Sequence, residues 1–467
     1  MVMGDVPAET DLVVIGGGVG GYSAAFHAAD LGLEVTLVNE EPRLGGVCLL
    51  RGCIPSKTLL SLCDLLFSAR DATSKGIRFG DPEIDIEKIR AWKDRVVDRL
   101  TGGLDRLAQD RSVKLIQGRA RFAGPNRLHI HGEEEVDLSF GHAVLASGSR
   151  AVPLPFADFG GAIWKAADAL QLEEVPESLL VVGGGYVGLE MSTIYAALGS
   201  RVTLVEKEDR LMPEADQDLV EPVARRIRDL VDGVHVGCSV AEMEEGDDEV
   251  RVSFQGEDPP EDGAFKRVLV AIGRTPASDD LGLEDAGVEL RDDGSVVVDA
   301  ERRTTSDSIL AVGDVGGGPF LAHKALREGR VAAEVLAGEP AAFDARAIPA
   351  VIFTDPEVAW CGLTEKDAEA EDRRVEVVRF PWQASGRAVT MGEGEGLTKL
   401  LLEPETERIL GMGIVGPGAE SLIAEGALAM EMGAVARDLA HTIHPHPTLT
   451  ETVQEAAEEA LDRATHA

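Results

Sequence analysis

The chain has 467 residues, about three typical domain lengths. Its 44% apolar and 27% charged residues are the mixture of a folded protein with a large core, which excludes disordered, collagen-like and disulfide-scaffold classes. Its 83 Asp and Glu against 45 Lys and Arg leave a net charge of −38, a field that repels nucleic acid and anionic membrane as general partners.

With 11 lysines and 4% aromatic residues, the acidic surface points to a salt-rich setting in which cations screen self-repulsion. No run of 18 apolar residues occurs, so no membrane span is expected. Met1–Thr10 has neither the basic nor the apolar part of a leader, and a cytoplasmic protein is expected. Five cysteines are too few for a secreted scaffold, so a disulfide here points to catalysis before structure.

Asp11–Ile15 is a short apolar run suited to a buried parallel strand. It ends in Gly16, Gly18 and Gly21, a G-x-G-x-x-G pattern, followed by a helical stretch to Leu31 and a second strand at Glu34–Val38. In such a unit Gly16 permits the tight turn, Gly18 lets the backbone approach a pyrophosphate, and Gly21 lets helix pack on strand. The strand–turn–helix–strand context makes the motif far more specific than the glycines alone.

Next comes Gly45–Lys57, with Cys48 and Cys53 five positions apart. Half of a metal site and an inert thiol pair are open readings beside thiol chemistry. Cys63, Cys238 and Cys361 supply no second pair with ligand spacing, and no metal site is expected. The apolar positions from Leu59 to Leu66 read as a helix that starts near Cys53. A helix start with Lys57 close by favours a thiolate.

Val144–Ser149 is a strand ending in a glycine turn. The nucleotide pattern then returns as Leu179–Val182 with Gly183, Gly185 and Gly188, and a strand at Arg201–Glu206. Glu206 lies 18 residues beyond the third glycine, where a carboxylate accepts ribose hydroxyls and repels a 2′-phosphate; NAD is therefore expected over NADP. The acidic stretch from Glu242 to Asp262 reads as a solvated hairpin. Val268–Pro276 is another strand with a glycine turn, and Ile309–Asp314 a strand ending in an acid that suits a polyol hydroxyl. Two dinucleotide units in one chain suggest a flavin plus a nicotinamide. Near the C-terminus, His444 and His446 flank prolines before a helix that Thr448 or Thr450 would cap, with Glu451 complementing its dipole.

Taken in order, these motifs resemble the dihydrolipoamide dehydrogenase family, within the flavin-dependent pyridine nucleotide–disulfide oxidoreductases. The likeness covers nearly the whole chain and includes Leu321–Ala325, Ile348–Ala359, Phe380–Ala388 and the His444–Glu451 segment. It implies an α/β fold: two Rossmann-like dinucleotide-binding domains, for FAD and NAD, plus a C-terminal α+β dimerisation domain. The FAD domain would be split, 1–150 and 275–345, around an NAD domain at 151–274, with the interface domain at 346–467.

The resemblance also implies roles. Cys48 and Cys53 form a redox disulfide in which Cys48 exchanges with the dithiol and Cys53, as thiolate, contacts the flavin. Lys57 lies near the flavin and pairs with Glu190; Tyr186 gates the nicotinamide pocket. His446 is the base for the dithiol, oriented by Glu451 and supplied by the other subunit of a homodimer. The FAD site would be lined by Gly46, Ala120, Ser147, Gly148, Asp314 and Ala322, with Asn39 or Glu40 on the ribose. Val240 and Gly273 would line the NAD side. Departures from the family pattern are Asn39 in place of a glutamate, Arg51 between the cysteines, which would tune Cys48, and Ala277 after Arg-Thr-Pro. The implied reaction is oxidation of dihydrolipoamide on a lipoylated carrier of a 2-oxoacid dehydrogenase or glycine cleavage complex, with NAD⁺ reduced to NADH. The alternatives are a glutathione-reductase-like enzyme for another disulfide, against which Glu206 stands, and a structural subunit with a vestigial redox centre.

Overall fold

Apolar strands set the first sheet. In the computed structural model, which describes residues 9–466, Leu12–Ile15 of β1 (Glu9–Ile15) are buried, as a central parallel strand requires. There follow α1 (Val19–Asp30), β2 (Val35–Asn39), the short α2 (Gly46–Arg51), α3 (Cys53–Asp71) and α4 (Ile86–Asp110). β3 (Lys114–Gln117) then precedes an antiparallel meander of β4 (Arg119–Gly124), β5 (Arg127–His131) and β6 (Val136–Leu145). The sheet order is β3-β2-β1-β6-β5-β4, with β1 parallel to β2 and β6.

The chain crosses out through β7 (Ser149–Ala151) into a second unit. It contains β8 (Ile163–Trp164), α5 (Ala166–Ala169), β9 (Ser178–Val182), α6 (Tyr186–Leu198), β10 (Arg201–Val205), α7 (Gln217–Leu230) and β11 (Gly233–His235). After these come β12 (Cys238–Glu245), β13 (Val250–Gly256), β14 (Gly263–Phe265) and β15 (Arg267–Val270). β11-β10-β9-β15-β8 form a parallel sheet and β12-β13-β14 an antiparallel one, so the acidic stretch is indeed a hairpin. β16 (Arg274–Pro276) pairs antiparallel with β7 as the chain returns. β17 (Ile309–Ala311) then joins the first sheet beside β6, and α8 (Ala322–Leu336) packs on α1.

The third unit is a five-stranded antiparallel sheet. Its strands are β18 (Ala350–Ile352), β19 (Val358–Gly362), β20 (Glu376–Pro381), β21 (Leu397–Leu402) and β22 (Ile409–Val415), in the order β18-β19-β22-β21-β20. Helices α9 (Glu365–Ala370), α10 (Gly386–Met391), α11 (Ala419–Met432), α12 (Ala436–Ala440) and α13 (Glu451–Glu459) accompany it.

One core ties the units together. Leu59, Leu60, Cys63 and Phe67 of α3 pack with Leu189 and Ile194 of α6 and with Ile352, Val358 and Val415 of the third unit. Gly46–Asp71 has the length and hydropathy of a membrane span, but it breaks at Gly52, and Leu59, Leu60, Cys63 and Phe67 are buried in this core. An ionic knot adds a polar join. Lys399, 1% exposed, donates to Asp216 (2.7 Å), Asp218 (2.7 Å) and Glu365 (2.9 Å), linking the start of α7 to β21 and α9.

Candidate active site

The two cysteines meet because α2 runs almost directly into α3. Gly52 makes the junction: a Cβ there would lie 2.9 Å from the Val47 carbonyl oxygen. Cys48 lies on α2 and Cys53 opens α3, and their side chains share a hydrogen bond. That bond, from Cys48, lowers the Cys53 thiol to about 7 against the opposing effect of burial; Lys57 lowers it further and Glu190 raises it. Cys48 is pushed well above the ordinary thiol range by the same bond and by burial. The reduced pair is thus polarised: Cys48 keeps the proton and Cys53 carries the charge, at a helix start that favours an anion. Cys53 stays accessible to solvent although much of the chain packs around its thiol.

Lys57 lies one turn further along α3. Its Nζ donates to both carboxylate oxygens of Glu190 at 2.8 and 2.9 Å and stands 4.5 Å from the centre of the Phe353 ring. Glu190 is nearly fully buried on α6 and also accepts the Phe353 backbone N–H at 3.2 Å. All three units therefore converge on one ion pair. Tyr186 opens α6 and is exposed; burial of its hydroxyl raises its pKa, and Arg274, Cys53, Glu190 and Asp314 also act on it.

The first glycine turn is closed by Asn39, whose Oδ1 accepts the Gly17 N–H at 2.9 Å while its Nδ2 donates to the carbonyls of Glu41 (2.7 Å) and Arg43 (3.0 Å). Glu40 is exposed. Gly46, at φ +58°, brings the start of α2 so close to the turn that a Cβ would meet the Gly18 Cα at 2.6 Å. At the second turn Glu206 accepts the N–H of Gly184 at 2.5 Å and of Glu208 at 2.8 Å.

These surroundings fit a flavin dinucleotide at the first turn and a nicotinamide dinucleotide at the second. A Cβ on Gly18 would have one atom within 4 Å, the Gly46 Cα at 3.9 Å, and a Cβ on Gly185 none. Both helix starts thus leave room for a pyrophosphate. The Ser147 hydroxyl is buried with no hydrogen-bond partner among the described residues. Next to it the Ser149 hydroxyl donates to Asp314, and Arg274, which sequence reasoning missed, donates to the Ser149 hydroxyl at 2.8 Å and carbonyl at 2.6 Å. Gly148, the half-buried Ala322 at the start of α8, and Gly273 with open space about its Cα lie at strand ends and a helix start as well. Ala120 and Val240 do not offer side chains: both are packed inside hydrophobic cores, which leaves only their main chain for any contact with a nucleotide.

His446 and Glu451 meet at 2.8 Å, Nδ1 to Oε1. Thr448 N–H and the imidazole hold the Glu451 carboxyl below its usual range, against burial that acts the other way. Glu451 accepts the Thr448 N–H at 2.8 Å, which ties the start of α13 to the loop before it, and no side-chain cap bond comes from Thr450. With Nδ1 donating to Glu451, Nε2 is the basic nitrogen. The His446 side chain is 77% exposed, and among the described residues no polar contact joins it to the thiols of its own chain. His444 is the buried member, held between the Thr442 carbonyl (3.0 Å) and Glu425 (2.8 Å), which fixes the loop that carries His446. Arg51 is paired with Glu41, and Lys57 is the cation that lowers the Cys48 thiol.

Comparison with known proteins agrees with this arrangement. Residues 10–329 match the family model described as pyridine nucleotide-disulphide oxidoreductase, and residues 348–457 match that family's dimerisation domain. Dihydrolipoyl dehydrogenase of Halobacterium salinarum is 45% identical over 472 residues, covering 100% of this chain and 99% of its own. The dihydrolipoyl dehydrogenase of Vibrio parahaemolyticus is 46% identical, covering 96% and 95%. Among solved structures, LpdA from Mycobacterium tuberculosis superposes with a TM-score of 0.88 at 26% identity, covering 97% and 99%. The HOCl-induced flavoprotein disulfide reductase RclA from Escherichia coli gives 0.85 at 27%, covering 96% and 99%.

Proposed function

The chain belongs to the pyridine nucleotide-disulphide oxidoreductase family, and on that premise we propose that it is a dihydrolipoyl dehydrogenase: it oxidises dihydrolipoamide to lipoamide and reduces NAD⁺ to NADH, with FAD between them. The observation that carries the reading is the polarised Cys48–Cys53 pair beside Lys57 and Glu190.

In this reading Cys48 is the exchange thiol. With the pair oxidised, a substrate thiolate attacks Cys48; a mixed disulfide forms and Cys53 leaves as the thiolate that Lys57 and the α3 helix start favour. His446 of the partner subunit takes the proton of the second substrate thiol. That thiolate then displaces Cys48, and lipoamide leaves. Cys48 regains a proton, leaving two electrons on the pair in the polarised state described above. FAD, when bound, relays those two electrons to NAD⁺. The buried Glu190 keeps the Lys57 ammonium in place, and Glu451 keeps His446 in the tautomer whose Nε2 is free to take a proton.

The dimerisation domain makes a homodimer the working form, and the exposure of His446 supports a base that serves the other subunit. The lipoylated carrier of a 2-oxoacid dehydrogenase or glycine cleavage complex is the proposed partner, in the cytoplasm. The test is NADH formation from dihydrolipoamide and NAD⁺, in molar KCl and in dilute buffer, with NADP⁺ as control. Fast NAD-specific turnover is expected, stronger in KCl. An FAD-loaded protein without lipoamide turnover would overturn the reading.

A further inference from the structure

Away from the redox centre, two groups of side chains among the described residues gather ligand atoms closely enough for a metal ion. In the first, Asp216, Asp218 and Glu365, the Lys399 ammonium already sits among the oxygens, and Arg379 adds a second cation. The other has no such cation of its own. His129 and His131 lie on β5, two residues apart and so on the same face of the sheet. Glu135 closes the turn after them, and Asp137 of β6 stands directly across from His129 in the register.

The contacts within this group are those of donors already facing one another. His129 Nε2 lies 2.8 Å from Glu135, His129 Nδ1 2.9 Å from Asp137, and His131 Nδ1 3.2 Å from Glu135. The two rings meet edge to face with centres 4.4 Å apart. One ligand atom each of His129, His131 and Glu135 lies within 4.8 Å of the others. A zinc ion with bonds of about 2.0–2.2 Å spaces its ligands roughly 3.4 Å apart, within reach of side-chain adjustment on a hairpin whose register is fixed by β4 on one side and β1 on the other. The neighbouring cations are occupied elsewhere or outside the group. Arg119 and Arg121 of β4, in register with His131 and His129, pair with Asp280 and Asp285, and Arg127 acts on Asp137.

We propose that His129, His131 and Glu135 form a binding site for a borderline divalent cation such as zinc, with Asp137 holding His129 from behind or supplying a fourth oxygen. Two imidazoles and a carboxylate are the donor set that suits zinc, and three protein ligands leave a position for water. Asp137 against Nδ1 is the outer carboxylate that orients a ligating histidine. Protons compete for the same nitrogens, so zinc binding releases protons and weakens as the pH falls. The facing titratable groups are Glu133, Glu134, Glu135 and Asp137, with Arg119, Arg121 and Arg127 on the strands beside them.

The experiment is calorimetric titration of ZnCl₂ into the full-length, FAD-loaded chain carrying Cys48→Ser and Cys53→Ser, so that the redox thiols cannot bind the ion. Molar KCl suppresses loose adsorption to the acidic surface. One zinc per chain is expected, with affinity lowered by at least ~100-fold in His129→Ala/His131→Ala and by ~10-fold in the near-isosteric Glu135→Gln. FAD content and, in the chain with both cysteines, dihydrolipoamide turnover are unchanged by either substitution. An isotherm that is the same with and without the two histidines, or no zinc uptake by the parent chain, overturns the site.

Discussion

At the first nucleotide turn Gly16 takes φ +106°, and a Cβ on Gly21 would lie 1.8 Å from the Gly16 carbonyl oxygen; at the second, Gly183 takes φ +112°, and a Cβ on Gly188 would lie 1.8 Å from the Gly183 oxygen. Helix caps agree as closely, with Gly18 at φ −73°, ψ −176° and Gly185 at φ −77°, ψ −178°. The turns differ at the residue that clasps them from the end of the second strand. Asn39 does so with a neutral amide that also donates to two loop carbonyls; Glu206 does so with a carboxylate that accepts two N–H groups. The backbone device is therefore common, and the clasp sets what each turn discriminates. A negative clasp repels a 2′-phosphate, which matters only where NAD must be told from NADP.

The strongest way to separate the turns is to break each. Gly21→Ala and Gly188→Ala force the same overlap with a carbonyl oxygen, so backbone shifts of similar size follow. The expected outcomes differ in kind. Gly21→Ala purifies without FAD or fails to fold, because the first turn packs against the Ala146 end of β6 in the main sheet and against the start of α2. Gly188→Ala keeps its flavin absorbance and loses NAD-dependent turnover by a factor of ~10² or more. Flavin content and steady-state rate on the two variants read this directly, and equal flavin loss in both would show that the turns are not independent.

Removing the charge from the second clasp is the next largest change. Glu206→Gln keeps an acceptor for the Gly184 N–H but no longer repels a phosphate. The ratio of kcat/KM for NAD⁺ to that for NADP⁺ should fall by about 10- to 100-fold. An unchanged ratio would move the discrimination to another residue.

The two turns are joined chemically by Lys57, from the first unit, and Glu190, two residues beyond Gly188 in the second. They push the Cys53 thiol in opposite directions. Its folded pKa of about 7 means that thiolate reactivity rises as pH climbs through about 7. Lys57→Met shifts that midpoint up, and Glu190→Gln shifts it down, each by roughly one unit. The rate of iodoacetamide alkylation against pH in the reduced enzyme measures it. Shifts of the same sign would mean that the pair acts by packing rather than by charge.

Much of the site is legible in the sequence because it is local. The glycine turns, the Cys48–Cys53 segment and the His446–Glu451 pair each lie within a short stretch of chain, so they can be picked out there, and the family resemblance supplies the roles of the cysteines and of His446. What the sequence hides joins residues far apart along the chain. Phe353 on Lys57, Arg274 on Ser149 and the Lys399 knot depend on how the sheets of separate units face one another. Local patterns also leave pairings open: Glu451 ties back to the Thr448 N–H before its helix, and Glu41 pairs with Arg51. The side chains of Ala120 and Val240 turn inward because strand alternation assigns them to the core face.

The smallest effect tests the clasp of the first turn. Asn39→Asp makes it resemble Glu206: the acceptor for the Gly17 N–H stays and gains charge, while the donations to the carbonyls of Glu41 and Arg43 are lost. A carboxylate would then face two carbonyl oxygens across the distances those hydrogen bonds now span. If the residue serves as a loop clasp, the variant is less stable by about 1 kcal/mol and releases FAD somewhat faster. If charge at this position is what holds the flavin ribose, as the family's usual glutamate suggests, FAD binds more tightly instead. The sign of the change in flavin release rate separates the two, and it decides whether the neutral residue at the first turn is a substitute for an acid or a different solution to closing the same loop.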